Sequence, residues 1–145
     1  MVRVRAGGTP RAAAHHTAAL VIHLDTSFLI HALRPGSRQE AQLLAWLADD
    51  EALGVSAFAW TEFLCGPVAV SAADAALELL GQPVPVDRHV AERAAELFNL
   101  GGRRRGSLAD CLVAATAIQA DAVLATENRS DFLKFVPAGL VLAGD

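Results

Sequence analysis

Apolar residues fall into two patterns along this chain, and the two patterns take turns. The first is a short run without alternation: Leu20–Leu24, Gly54–Ala57, Pro83–Val86, Ala122–Ala125 and Gly139–Leu142. Runs of this length, bounded by turn-forming residues, predict buried strands. The second is a longer stretch whose apolar positions return every three or four residues. One passes through Phe28, Leu29 and Leu33 and ends at Pro35-Gly36. Gln39–Ala48 carries Leu43, Leu44 and Leu47 at helical spacing, with Trp46 beside them. A third holds Trp60, Glu62, Phe63 and Leu64 and stops at Gly66-Pro67. Ser71–Leu80 follows, with Ser71 and Asp74 spaced as a cap. Asp87–Leu100 turns Val90, Ala94, Leu97 and Phe98 inward, and Leu108–Ala120 is rich in alanine. Non-alternating strands separated by helices predict an α/β fold, a central and mostly parallel sheet of four to five strands covered on both faces. Sites in such sheets form beyond the carboxyl ends of the strands.

Composition narrows the class. The 145 residues suffice for one domain with a proper core and are too few for two ordinary ones. With 53% hydrophobic and 19% charged residues the chain is not a disordered one. Its apolar runs are broken by Asp, Thr, Glu or Gly well short of the roughly 20 residues of a membrane span. Cys65 and Cys111 form no CxxC pair and sit in apolar helical contexts, which predicts buried, reduced thiols and a cytoplasmic protein.

The first twenty residues contain Gly7-Gly8 and Pro10, lack periodicity, and carry three of the twelve cations and none of the sixteen acids. They are expected to form a flexible basic tail preceding a domain over residues 21–145, or to lie upstream of a true start at Val21. Their apolar run, Ala18–Ile22, leads into His23 and Asp25 rather than into a small-residue cleavage site. The net charge is −4, so the tail's +3 leaves −7 on the remainder. An acidic body argues against binding nucleic acid through bulk charge.

Three acids stand where apolar runs meet helix starts: Asp25 in V-I-H-L-D-T-S, Glu62 in A-W-T-E-F-L, and Asp110 in G-S-L-A-D-C-L. A carboxylate removed from water needs a cation, a donor or a proton. Each also has a plainer reading. Asp25 can cap the helix that follows it. Glu62 can face solvent, although bulky apolar neighbours on both sides leave little of its segment free to do so. Asp110 stands at capping-box spacing from Ser107. Glu127 and Asp131, in A-T-E-N-R-S-D-F-L, are accounted for by a turn with Asn128 and Ser130.

Other chemistries lack their signatures. The five histidines form no HxxxH or HExxH pattern, which argues against zinc. There is no G-x-S-x-G elbow and no Gly-rich phosphate loop. Carboxylates without His or Cys select hard cations, Mg²⁺ or Mn²⁺, and so favour phosphodiester hydrolysis. Arg103, Arg104 and Arg105, bracketed by Gly102 and Gly106, are candidate phosphate contacts, with Arg34, Arg129 and Lys134 beside them.

The order L-D-T-S-x-L-I, W-T-E-F, S-L-A-D-C-L-V-A-A-T-A and L-A-T-E-N-x-x-D-F resembles the PIN-domain ribonucleases, and among them the VapC-type toxins of bacterial toxin–antitoxin pairs. The resemblance covers residues 21–145. It implies a three-layer α/β/α domain, Mg²⁺ held by Asp25 and Asp110, and Glu62 completing the catalytic set. Many relatives carry a further acid two residues after the Thr of the last motif. Here that position is Asn128, with Asp131 nearby, and both are expected in a supporting shell. The resemblance also implies an RNA substrate (tRNA, rRNA or mRNA), a cognate antitoxin that covers the site, and a homodimer.

Two other readings stay open. One is a catalytically silent module of the same fold that holds a partner at its acidic edge. The other is a phosphatase or phospho-acceptor using Asp25 as nucleophile, against which Asp25-Thr26-Ser27 lacks the second Asp of a D-x-D pattern.

Overall fold

The computed structural model describes residues 20–144. The expected basic tail therefore lies outside the described residues, apart from Leu20. Strands β1 (Val21–Leu24), β2 (Ala52–Gly54), β3 (Val123–Ala125) and β4 (Val141–Leu142) pair in the order β2-β1-β3-β4. Every pairing is parallel. Between β1 and β2 run α1 (Thr26–Ala32) and α2 (Arg38–Ala48). Between β2 and β3 run α3 (Ala57–Leu64), α4 (Val70–Leu80), α5 (Arg88–Leu100) and α6 (Leu108–Gln119). The short α7 (Arg129–Phe132) and a 3-10 segment, Leu133–Ala138, lead into β4. This is the expected α/β/α layering around a four-stranded sheet.

The strand order decides where a site can form. From β1 the chain travels to β2 at one edge, whereas from β3 it travels to β4 at the other. Right-handed crossovers in opposite directions fall on opposite faces of the sheet. A crevice therefore opens beyond the carboxyl ends of β1 and β3, the switch point at which α/β sheets bind ligands.

The core is the apolar filling of these layers: Ile22, Leu24, Leu29, Leu97, Leu124, Phe132, Phe135 and Leu140 are all buried. Helix α6 is buried nearly all round through Cys111, Val113, Ala114, Ala115, Thr116 and Ala117. Its small side chains let α5 approach closely, and its Thr116 hydroxyl is satisfied by the Leu112 carbonyl at 2.8 Å. His23 pairs across from Gly54, and a Cβ at that position would stand 3.1 Å from the His23 ring. Glycine there makes room for a buried imidazole. No described helix is long and apolar enough to cross a membrane.

Local expectations were corrected in four places. Pro83–Val86 is not a strand: it contributes one isolated bridge, Val84 with Ser56. Pro83 and Pro85 carry no N–H, which confines the segment to the margin of a sheet. Strand β2 runs two residues earlier than expected, because Ser56 is committed to capping α3, its hydroxyl accepting the Ala59 N–H at 3.0 Å. Helix α4 starts at Val70 with Ala69 at the cap position, so Ser71 lies inside the first turn and caps nothing. Cys111 is buried as expected, but Cys65 is exposed, since it follows the last turn of α3, beyond the inward-facing Phe63.

Candidate active site

Asp25 lies directly beyond β1 and is only 6% exposed. Its N–H donates to the Ala125 carbonyl at 2.9 Å, extending the β1–β3 pairing by one step. It occupies the cap position of α1, yet its side chain makes no capping bond. Instead Oδ2 accepts the Thr126 hydroxyl at 2.8 Å and the Ser27 hydroxyl at 3.1 Å. Those hydroxyls in turn accept backbone N–H groups, Asn128 to Thr126 at 2.9 Å and Glu127 to Ser27 at 3.0 Å. With a lone pair on each oxygen already engaged, both hydroxyl protons are aimed at Asp25. Oδ1 takes no donor among the described residues and is not sealed from solvent. One oxygen is anchored and the other is offered to the crevice.

Thr126 stands immediately after β3 as Asp25 stands immediately after β1, so the side-chain bond between them spans the switch point across about a hundred residues of sequence. In the sequence Thr126 is visible only as part of the L-A-T-E-N motif. Its signal was there, since a hydroxyl at a strand's carboxyl end beside an acid-bearing strand is placed to hold that acid.

Glu62 rides on α3. Thr61, Glu62 and Leu64 are exposed, contrary to the expectation that little of this segment could face water. A helix of eight residues buries only one stripe, here Ala59 and Phe63. The Thr26 hydroxyl lies 2.9 Å from the Ala59 carbonyl and 3.1 Å from Glu62 Oε1. A hydroxyl has one proton, so Thr26 serves ionised Glu62 only by releasing Ala59. Partial burial raises the Glu62 carboxyl above its usual range; the Thr26 hydroxyl opposes this and the negative charge of Asp25 adds to it.

Asp110 is the third residue of α6 and is half-buried. The capping box does not form: the Ser107 hydroxyl donates to the Arg104 carbonyl at 2.7 Å and its N–H donates to the same oxygen at 3.0 Å. The Asp110 carboxyl is pushed up to about 6, first by burial and then by the charges of Asp131, Asp25 and Glu62, with Lys134 opposing them. The three acids picked from sequence therefore share one electrostatic field. Asp131, on α7, joins them as the strongest charge acting on Asp110.

The remaining candidates divide. Asn128 holds Thr126 through its backbone, and its side chain caps nothing. Glu127 turns outward to Arg38 at 3.4 Å. Arg103, Arg104 and Arg105 are exposed, with Arg103 engaged by the Asn99 side chain and stacked over Phe98. Among the described residues no three His, Cys, Asp or Glu side chains close into a ready-made metal cage. The donor set still suits Mg²⁺, because it is all carboxylate, partly buried and self-repelling. Mg²⁺ keeps several waters and takes one or two carboxylates directly, so it needs no full enclosure.

The model of one family, the PIN domain, matches residues 22–135. The chain belongs to the PIN-domain family. The match spans the PIN domain from β1 through Phe135 and so includes Asp25, Glu62, Asp110, Thr126 and Asp131. Solved structures share the fold. VapBC2 from Rickettsia felis, bound to a DNA fragment from its promoter, aligns with TM-score 0.67 and 21% identity over 86% of this chain and 98% of that chain. FitAcB from Neisseria gonorrhoeae aligns with TM-score 0.61 and 25% identity over 84% and 96%. A toxin–antitoxin complex from Klebsiella pneumoniae aligns with TM-score 0.61 and 25% identity over 77% and 90%. No curated protein matches this PIN domain in sequence.

Proposed function

We propose that this PIN domain is a Mg²⁺-dependent endoribonuclease and the toxin of a toxin–antitoxin pair. The observation that carries the reading is Asp25, held at one oxygen by Thr126 and Ser27 beyond β1 and β3, with burial and the charges of Asp131, Asp25 and Glu62 raising the Asp110 carboxyl beside it. Acids that repel one another at a switch point are stabilised by a divalent cation and by little else the chain supplies. Asp25, through its free Oδ1, and Asp110 hold Mg²⁺, for which Mn²⁺ substitutes. Bound there, the ion supplies Lewis-acid polarisation of the phosphodiester and lowers the pKa of an attacking water. Glu62, exposed on α3 and with its carboxyl raised above the usual range by partial burial, orients that water and takes its proton. Asn128 and Asp131 support the shell, and Arg103, Arg104 and Arg105 contact RNA phosphates.

The toxin reading is supported by the company the fold keeps, since the Klebsiella pneumoniae structure is a toxin–antitoxin complex and the others share its architecture. The partners that follow are a cellular RNA substrate, an antitoxin that covers the acidic crevice, and a second copy of the chain in a homodimer. A silent binding module is the second reading, favoured by the neutral Asn128 and by the absence of a preformed cage among the described residues.

The test is incubation of purified, antitoxin-free protein with total bacterial RNA in Mg²⁺, in Mn²⁺ and in EDTA, beside Asp25→Asn and Asp110→Asn. Discrete fragments that vanish with EDTA and in both variants are expected. Intact RNA from folded protein under every condition would favour the silent module, and cleavage by either variant at the wild-type rate would remove the acids from the mechanism.

A further inference from the structure

A second concavity of about 290 Å³ adjoins the acidic crevice. It is lined by Phe28, Arg38, Gln42, Trp46, Arg129 and Ser130, with Thr126 as the shared wall. Thr126 donates to Asp25 Oδ2 at 2.8 Å, so the concavity begins one hydrogen bond from the proposed catalytic centre.

Its chemistry differs from that of the crevice. Trp46, partly exposed, presents an aromatic surface and is backed by buried Phe28, their rings 5.5 Å apart and tilted by 33°. Arg129 is steadied by donating to the Ala143 carbonyl at 2.6 Å, which leaves its other N–H groups available. Arg38 meets Glu127 at 3.4 Å while remaining 70% exposed. A long surface pair of this kind contributes little, so Arg38 is not committed to Glu127. Among the described residues, two guanidiniums stand against one carboxylate at this rim, on a body that is otherwise acidic. Gln42 adds an amide that can both donate and accept, and Ser130 adds a hydroxyl.

Flat aromatic surface, guanidinium and amide together suit an unstacked nucleotide. Single-stranded RNA is recognised by stacking its bases on aromatic rings and reading their edges with polar side chains. We propose that this concavity is a nucleotide subsite, in which an unpaired base of the RNA stacks on Trp46, its edge meets Gln42, and its phosphate lies between Arg38 and Arg129. This rests on the nuclease reading of the neighbouring acids. It makes the substrate single-stranded next to the scissile bond, and makes Trp46 and Gln42 determinants of where the strand is cut.

The test uses fluorescein-labelled six-nucleotide RNAs of uniform sequence, their binding followed by anisotropy in EDTA, where no cleavage is called for. Trp46→Leu is expected to weaken binding of the preferred hexamer at least about tenfold, while Trp46→Phe keeps most of it. Gln42→Glu, at a half-buried position, brings a negative charge toward the phosphate and is expected to weaken binding as well. Wild-type affinity in both Trp46→Leu and Gln42→Glu, each folded by circular dichroism, would overturn the subsite; so would failure of the wild type to bind any hexamer. Mg²⁺-dependent cleavage of total RNA by the same preparations separates the two ideas. Intact RNA together with binding that depends on Trp46 and Gln42 keeps the subsite and removes the nuclease. Unchanged cleavage sites and unchanged binding in the variants keep the nuclease and remove the subsite.

Discussion

Two hydroxyls hold one oxygen of Asp25, Thr126 at 2.8 Å and Ser27 at 3.1 Å, and they orient the carboxylate for its proposed role. Groups that orient a metal-binding carboxylate are typically worth about 10–100-fold in metal affinity or activity. Thr126→Val preserves the shape of the buried side chain and removes one donor. It is expected to lower cleavage by about that factor, and to weaken Mg²⁺ in a titration of activity against metal, with the circular dichroism spectrum unchanged. Full activity in that variant would show that Ser27 alone positions the acid. The acid itself was readable from sequence, because a charged residue closing an apolar run is conspicuous. Its partners were not, because Thr126 reaches Asp25 only through the pairing of β1 with β3.

At the scale of elements, Ser56 has consequences in two directions. It closes β2 early and opens α3, whose sixth residue, Glu62, belongs to the proposed site. Ser56 is 2% exposed and accepts the Ala59 N–H at 3.0 Å. Ser56→Ala leaves that donor unpaired in a buried setting and is expected to cost about 1 kcal/mol of stability. Because α3 carries Glu62, activity is expected to fall further than the loss of folded protein accounts for. Urea unfolding and the specific activity of the folded fraction check the two parts separately; unchanged stability would mean that α3 starts without its cap. Helix periodicity was legible throughout, since three- and four-residue spacing is strong over ten residues or more. Strand limits were less so, because runs of three or four apolar residues leave the boundary to caps and prolines, as Ser56, Pro83 and Pro85 show.

Across the whole molecule, the fold brings the negative charges of Asp131, Asp25 and Glu62 to bear on Asp110. Burial and those charges raise its carboxyl from 3.8 to about 6. A carboxyl with a raised pKa binds its proton more tightly in the folded than in the unfolded chain. The associated stability is therefore present below about pH 4 and is lost as pH rises through 6. In EDTA at pH 7.5, Asp110→Asn is expected to be more stable than wild type by about 1–2 kcal/mol, after discounting a half-buried group for solvent screening. The gain is expected to shrink at pH 5, where wild-type Asp110 is already mostly protonated. Urea unfolding at the two pH values checks it, and an advantage that does not change with pH would place its origin outside the titration. His23, buried and held below its usual value of 6.5, acts in the opposite sense, withdrawing stability as pH falls below that value.

By itself the sequence determined the class of fold, through non-alternating strands separated by helices, and it singled out Asp25, Glu62 and Asp110, because acids amid apolar runs demand an explanation. These are local properties, written in spacing and polarity along the chain. What only the tertiary structure decided was convergence. Strand order set β1 beside β3, which brought Thr126 to Asp25, gathered Asp131 with the three acids, and laid Trp46 and Phe28 against that same edge. Residues a hundred positions apart become neighbours through sheet pairing, and no periodicity within either segment records which strand will lie alongside which.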